Sequence, residues 1–522
     1  MLISESNVLA IDLGTSGPKV SIISMTGTLL ASQYRSVSTR YLNDGGVEQS
    51  PAHWWEAVSS GVKALLREYP QLVPSIRTVC CSAQWSGTVA VDEGGEPLAD
   101  ALIWMDSRGA PFIRNLIGGG VQVEGYHVGK LWKWTRKASG APGKSGKDSL
   151  AHIIFLREKR PELYKRTFKF LEPKDYLNLK LTGKFASTFD AIALHWVCDN
   201  RNIDAVCYDE ELLNMAGLER DKLPDLCRSV DILGPIVPSL AREWGLSPLT
   251  QVIAGSPDLH IGAVGSGAVE DYVPHICVGT SSWLTCHVPY KKTDVFNNLT
   301  TLPSALPGRY LVANEQSSAG VCLQYLWENF AGIFQDLSDP SPSFERLDQL
   351  ASRAPSGSKK MIFTPWLSGE RTPVENHFVR GGFHNLSLHH SSSEVVRAVL
   401  EGVAYNSRWL LKTVESFVKR RLDPIYMIGG GANSDVWCQI IADVLERRIL
   451  QVSNPRYANA RGAAWLGALA LGKLQVTDIP KLVVIKKEYA PNSVHRNTYK
   501  EAFREFLSIY KSNQKIYRRL NS

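Results

Sequence analysis

The chain opens on an apolar run, Val8 to Leu13, which breaks at Gly14 to Gly17 and resumes from Lys19 to Ser24. Gly27 marks the next turn and Leu29 to Ser36 reads as a third strand, so the pattern predicts a β-meander. From Pro51 to Glu68 the period changes. Trp54, Val58, Val62 and Leu65 recur on one face, with Pro51 in the first turn, which predicts an amphipathic helix. Strands follow at Ile76 to Ser82 and Thr88 to Val91. Helices are expected over Asp148 to Arg157, Pro161 to Lys169 and Asp175 to Leu181.

Residues 117–148 interrupt this rhythm. Gly118-Gly119-Gly120 opens the stretch, and Lys130, Lys133, Arg136, Lys137, Lys144 and Lys147 are set among Trp132, Trp134 and further glycines. This basic insertion reads either as a solvated segment, part helix and part loop, or as a lid or oligomer contact over a cleft. Past residue 265 the opening plan returns: His275 to Gly279 is a short apolar strand, Gly279-Thr280-Ser281-Ser282 a small-residue turn, and Trp283 to Val288 a second strand. A duplicated strand–turn–strand unit at the start of each half predicts two domains, 1–265 and 266–522, with the boundary between about 260 and 272. After Asn492, Tyr499, Phe503, Phe506, Leu507 and Tyr510 fall at helical spacing among Lys and Arg, predicting a surface helix.

Composition narrows the class. A length of 522 residues favours two cores over one, and the 44% hydrophobic and 21% charged fractions are those of a globular protein. The net charge of +7 has no continuous basic stripe with interleaved aromatics behind it, so no nucleic-acid partner is expected. The nine cysteines form no CxxC pair and read as reduced core thiols. No signal-peptide pattern and no run of about 20 apolar residues occurs. A cytoplasmic enzyme without a membrane partner is expected.

Three turns carry candidate chemistry. Asp12-Leu13-Gly14-Thr15-Ser16-Gly17 joins two strands; its small residues let backbone N–H groups approach phosphate oxygens, Thr15 and Ser16 add hydroxyls, Lys19 adds positive charge, and Asp12 is placed to hold a hydrated Mg²⁺. The plain alternative is a hairpin turn, which Asp and Gly favour anyway. Gly279-Thr280-Ser281-Ser282 repeats the chemistry. Ile425 to Ile428 runs into Gly429-Gly430-Gly431-Ala432-Asn433-Ser434 ahead of a helix with Trp437, Ile440, Ile441 and Val444, a junction that suits a nucleotide. It is neither a Walker A loop nor a GxGxxG fingerprint, and a tight structural turn is the alternative. Asp258 follows an apolar strand in Ala254-Gly255-Ser256-Pro257-Asp258, placed either to accept a substrate proton or to cap the following helix. Gln84-Trp85-Ser86-Gly87 and Trp104-Met105-Asp106-Ser107-Arg108 offer hydrogen-bonding groups beside aromatics, as a sugar site needs; a structural Asp106–Arg108 ion pair and a core Trp104 are the alternatives.

In joint order these pieces resemble the FGGY carbohydrate kinases of the actin-like ATPase superfamily, most closely the xylulokinase branch. The likeness runs over nearly the whole chain. It begins at Ala10-Ile-Asp-Leu-Gly-Thr-Ser, Val47-Glu-Gln-Ser-Pro-Ala-His-Trp-Trp, Ser82-Ala-Gln-Trp-Ser-Gly and Ile103-Trp-Met-Asp-Ser-Arg. It continues through Phe170-Leu-Glu-Pro-Lys-Asp-Tyr-Leu, Ala254-Gly-Ser-Pro-Asp and Val278-Gly-Thr-Ser-Ser to Ser318-Ala-Gly, Gly429-Gly-Gly-Ala-Asn-Ser and Arg461-Gly-Ala-Ala. The resemblance implies an α/β fold of two actin-like (ribonuclease H-like) domains, mixed five-stranded sheets with flanking helices, around an interdomain cleft. Sugar would be held mainly by the first domain and ATP mainly by the second. It implies Asp258 as general base, also touching substrate, and Asp12 as the Mg²⁺-associated carboxylate. Thr15 and Thr280, in turns with Ser16, Lys19 and Gly279, match the phosphate positions. Gly320, Gln324, Gly430, Gly431, Asn433 and Ser434 match nucleotide positions, and Gln84, Trp85, Asp106 and Arg108 sugar positions.

The chain departs from the family at Trp85-Ser86, where Met-His is common, at Ser256-Pro257 and Leu259-His260 around Asp258, and in the longer basic insertion. The expected reaction is ATP-dependent phosphorylation of a ketopentose such as xylulose, with ribulose, another ketose or a polyol such as glycerol as alternatives. An actin-like ATPase switch and a degenerate sugar-binding protein are rivals of another class. A homodimer is a family-level expectation.

Overall fold

The computed structural model describes residues 6–330 and 344–521. Two mixed sheets form its two halves. The first has six strands in the order Ile232–Pro235, Gln251–Pro257, Ile76–Ala83, Asn7–Gly14, Gly17–Ser24 and Leu29–Tyr34. Its central hairpin is antiparallel, with Asn7 opposite Ser24 and Gly14 opposite Gly17; Ile76–Ala83 joins Asn7–Gly14 in parallel, and Gln251–Pro257 joins Ile76–Ala83 in parallel. The second sheet repeats this plan. Pro274–Val278 and Ser282–Val288 form the antiparallel hairpin, Ile425–Ile428 and Ile449–Val452 add in parallel, and Ile485–Tyr489 closes the edge antiparallel. Both halves therefore carry the duplicated unit read from the sequence.

The sheets are larger than the five strands expected. The first has six, and the second has eight because Thr293–Asp294, Leu299–Pro303 and Tyr310–Ala313 extend it past the hairpin. Those extra strands reach the first half. Lys291 Nζ donates to the carbonyls of Thr135 and Arg136 at 2.6 Å each, the Thr293 and Thr300 hydroxyls donate to Ser139 O, and Tyr310 OH donates to Asn200 O at 2.8 Å.

Local elements follow the hydrophobic pattern. Pro51–Glu68 is a helix capped by the Ser50 hydroxyl, and its Trp54, Val58, Val62 and Leu65 are fully buried. The C-terminal helix Arg496–Asn521 buries Tyr499, Phe503, Phe506 and Tyr510 and turns its charged face to water. The helix at Pro161 stops at Arg166, short of Lys169, because Lys169–Leu171 instead pairs antiparallel with Val89–Val91. All nine cysteines are free and seven are buried. Among the described residues no helix is long and apolar enough to cross a membrane.

Two helices join the halves. Asp258–Ser266 follows the last parallel strand of the first sheet, and Ala458–Ala470 follows its counterpart, Ile449–Val452, in the second. Each touches the other half's sheet: Ala458–Ala470 lies on Asn7–Gly14 and Ile76–Ala83, and Asp258–Ser266 meets Ile425–Ile428. Their backbones touch at two glycines. A Cβ at Gly265 would fall inside the Ala458 carbonyl, and one at Gly462 inside that of Ile261. Gly265→Ala should accordingly lower stability by about 3 kcal/mol, the upper end for overpacking a core. Urea unfolding measures this, and a midpoint equal to the parent's would contradict the backbone contact.

Candidate active site

The two hairpin turns open onto one cavity of about 580 Å³ between the halves. Asp12, Thr15, Ser16 and Lys19 line it from the first turn, Gly279 and Thr280 from the second, and Asp258 from the start of its helix. Four indoles also line it, those of Trp85, Trp104, Trp196 and Trp283.

Asp258 is the first residue of Asp258–Ser266, and its Oδ1 accepts from the Leu259 N–H at 2.8 Å. One oxygen thus bonds the next residue's N–H, while the N-cap position is Pro257 and the helix has no side-chain cap, so the capping alternative is not what the structure shows. No protein donor meets Oδ2 among the described residues, and the side chain borders the cavity. Burial, with the negative charge of Asp12 adding to it, pushes the Asp258 carboxyl up to about 7. A carboxylate of that strength with an open oxygen can take a proton near neutral pH.

Asp12 sits at the end of the first strand, nearly buried. Lys19 Nζ donates to its Oδ2 at 2.7 Å and Asn459 Nδ2 to its Oδ1 at 3.2 Å. Burial alone would lower the Lys19 ammonium, but Asp12 outweighs it and holds the group above its ordinary value. Among the described residues no group of three or more His, Cys, Asp or Glu side chains could cage a metal. Asp12 fits the other mode, in which one carboxylate is joined by phosphate oxygens and waters, as Mg²⁺ prefers.

The first turn is braced from behind. Gln49 Nε2 donates to the Thr15 carbonyl at 2.7 Å, Thr15 Oγ1 donates to Gln84 Oε1 at 3.2 Å, and Trp104 Nε1 donates to Thr15 Oγ1 at 3.0 Å. The Thr15 hydroxyl is therefore occupied by this brace. The Ser16 and Thr280 hydroxyls, one from each turn, have no protein partner among the described residues and border the cavity. Trp104 is a wall of the cavity as well as a packed side chain.

Three sugar-side expectations are corrected. Gln84 is 2% exposed, outside the cavity lining, and its amide donates to Gln49 Oε1 at 2.9 Å, so it supports Thr15. Asp106 and Arg108 form the structural ion pair: Arg108 Nη2 lies 2.6 Å from both Asp106 Oδ2 and Glu48 Oε1, and Asp106 also accepts from Val47 N. Neither borders the cavity, because both are saturated within the first half. Trp85 does border it, fixed by a 2.9 Å bond from Nε1 to Ala191 O and by edge contact with the His260 ring.

The nucleotide-side positions lie behind and beside the second turn, outside the lining of the cavity. Gly320 N donates to Gly279 O at 2.8 Å, and a Cβ there would stand 2.6 Å from that oxygen. At Gly429, with φ of +88°, a Cβ would meet Val278 O at 2.6 Å. Gly431 packs on the Val278 side chain. The glycine turn is thus seated against the strand end that feeds Gly279. Gly430–Asn433 forms a short 3₁₀ turn, and the helix Asp435–Leu445 follows it, carrying Trp437, Ile440, Ile441 and Val444 as the sequence indicated. Ser434 caps that helix, accepting from Trp437 N at 2.9 Å and donating to Asp348 at 2.6 Å. Gln324 and Asn433 are exposed, bonded to Glu328 and to the Gly430 carbonyl.

The basic insertion combines both of its readings. Val121 and Trp132 face solvent, while Tyr126, Leu131 and Lys144 line the cavity. Ser145 N donates to Glu375 Oε1 at 3.2 Å, and Lys144 Nζ lies 3.5 Å from Glu375 Oε2, so the segment spans the cleft. Sequence reasoning missed Trp283, Trp196, Asp148, Glu315, Arg371 and Asn459 as cavity residues. Trp283 had a signal, since it begins the strand leaving a hydroxyl-bearing turn; the others come from separate segments with none.

Known proteins share the fold and domain order of this chain. The model of the FGGY family of carbohydrate kinases, N-terminal domain, matches residues 7–265, and that of its C-terminal domain matches residues 275–471. The xylulose kinase of Staphylococcus epidermidis is 28% identical over 512 residues, covering 98% of this chain and 97% of the relative. A gluconokinase of Bacillus licheniformis is 24% identical over 518 residues, covering 98% and 97%. The structure of ligand-bound xylulose kinase from Lactobacillus acidophilus superposes with a TM-score of 0.85 at 22% identity, covering 99% of this chain and 100% of that one, which is a likeness of fold. Both halves match in order and over most of their length: the chain belongs to the FGGY family of carbohydrate kinases.

Proposed function

We propose that this carbohydrate kinase transfers the γ-phosphoryl group of ATP to a hydroxyl of a ketopentose, with D-xylulose yielding D-xylulose 5-phosphate as the leading reaction. The observation that carries the reading is the open oxygen of Asp258, in a cavity shared by two hydroxyl-bearing turns. The acceptor oxygen attacks the γ-phosphorus, the bond from that phosphorus to the β–γ bridging oxygen breaks, and ADP leaves. Asp258 Oδ2 receives the acceptor proton. The Ser16 and Thr280 hydroxyls and Lys19 hold the transferring group, which needs orientation and charge neutralisation because the transition state is loose. A Mg²⁺ bound with the nucleotide would supply charge neutralisation, and Asp12 is the residue placed to hold it. Gly430, Gly431, Asn433 and Gly320 supply the backbone edge for the rest of the nucleotide. Gln324 and Ser434 border that edge.

The acceptor assignment leans on the relatives named xylulose kinase and on indole walls suited to the C–H faces of a sugar. An aldonate such as gluconate is the second acceptor to test, because Lys144 and Arg371 reach the cavity and a relative is named gluconokinase. An ATPase switch lacking an acceptor is set aside by family membership.

ADP release screened over ketoses, aldonates and polyols should show turnover that requires an acceptor, greatest with xylulose. Asp258→Asn should lower it by at least about 10², the low end for losing a general base. Turnover independent of acceptor, or a near-active Asp258→Asn enzyme, would contradict the reading. The pH profile of kcat/KM should rise through about pH 7 as Asp258 ionises; a profile flat from pH 5.5 to 8.5, by contrast, would assign the proton elsewhere.

Stability has the opposite dependence. The folded carboxyl binds its proton more tightly than the unfolded one, whose value is about 3.9, so this group's contribution is complete below about pH 4 and is lost as pH rises through about 7. Ligand-free Asp258→Asn should therefore melt above the parent at pH 8, with the gap closing by about pH 4. An equal melting temperature at pH 8 would show that burial of Asp258 carries no cost.

A further inference from the structure

Helix Ala458–Ala470 belongs to the second half by sequence, yet its second residue stands beside the first hairpin. Asn459 borders the cavity and donates from Nδ2 to Asp12 Oδ1 at 3.2 Å, across 447 residues of chain. Lys19 holds the other oxygen at 2.7 Å. The Asp12 carboxylate is pinned from two sides, and the two donors differ in kind. Lys19 is a charged competitor for whatever cation the carboxylate meets. Asn459 is neutral, so it fixes the plane of the carboxylate without neutralising it.

The Asn459 amide faces the neighbouring helix: a Cβ added at Gly262 would stand 3.1 Å from its Oδ1. Gly262 belongs to the helix that starts with Asp258. The preceding segment is fastened to the glycine turn: Gly429 N donates to Pro455 O at 3.1 Å, and Arg456 Nε stands 3.9 Å from the Cβ position of Gly430. Five residues, Pro455 to Asn459, thus run from the glycine turn to Asp12.

We infer that Asn459 is a positioning residue that orients the Asp12 carboxylate toward the divalent cation of a metal–nucleotide complex. The inference rests on the reading of Asp12 as the cation-facing carboxylate of the kinase site. Lys19 alone leaves the carboxylate free to rotate onto the ammonium, which hides the oxygen a cation needs. Loss of a group that orients a metal-facing side chain lowers affinity by about tenfold or more.

The test compares binding of Mn²⁺·ADP with binding of ADP in EDTA, by titration calorimetry on the full chain. Asn459→Ala should weaken Mn²⁺·ADP about tenfold and leave metal-free ADP unchanged. Equal weakening of both, or of neither, overturns the role. Asn459→Asp is isosteric and guards against misfolding of the alanine variant. Its added carboxylate repels Asp12, so its melting temperature in EDTA should fall below the parent's, and Mn²⁺ alone should raise it more than it raises the parent's. The same response to Mn²⁺ in both proteins overturns the inference. Asp12→Asn separates the two claims. If it weakens Mn²⁺·ADP while Asn459→Ala does not, only the role of Asn459 fails; if it binds Mn²⁺·ADP as the parent does, the assignment of Asp12 fails.

Discussion

The backbone contact between helices Asp258–Ser266 and Ala458–Ala470 is the constraint on which the rest of the site depends. Glycine at 265 and 462 lets the two helices approach until carbonyls occupy the space a Cβ would need. Asp258 begins one helix, and Asn459 is the second residue of the other. Because each helix also rests on the opposite sheet, this one contact sets the separation of the two hairpins, the open carboxylate and the clamped one. Any side chain that parted the helices would shift all four together. Displacements of about 1 Å at reacting groups are costly in rate.

Electrostatics then divides the labour between two carboxylates in one cavity. Asp12 is paired with Lys19 and hydrogen-bonded by Asn459. Among the described residues Asp258 accepts one backbone N–H and has no cation in contact, and burial with the Asp12 charge raises it to about 7. The insertion meets the second half through Lys291, which bonds the Thr135 carbonyl, and through Ser145 and Glu375, which line the same cavity.

Much of this was legible in the chain because the signals are local. The hairpins show as apolar runs broken by Gly and Ser, the helix over Pro51–Glu68 as a single face of Trp54, Val58, Val62 and Leu65, and Asp258 as a lone carboxylate after a strand. What failed was decided by partners far away in sequence. Asp106 and Arg108 have the composition of a sugar loop, and only Glu48, 60 residues from Arg108, makes them an ion-pair network. Gln84 was placed in the right neighbourhood, but the Thr15 hydroxyl and Gln49 turn it into a brace. Lys169–Leu171 left its helix because Val89–Val91 offered a strand to pair with. Asn459 and Arg371 carry no local motif, since they reach the cavity only through the packing of segments from the second half.

We propose that both hairpins and Asp258 grip one phosphoryl group and its acceptor. A crystal structure with a non-hydrolysable ATP analogue, Mg²⁺ and xylulose tests it directly. The γ-phosphate should lie between the turns at Ser16 and Thr280, with an acceptor hydroxyl about 2.6–3.2 Å from Asp258 Oδ2. An acceptor bound with its hydroxyls away from Asp258, or a γ-phosphate outside the space between those turns, would contradict it.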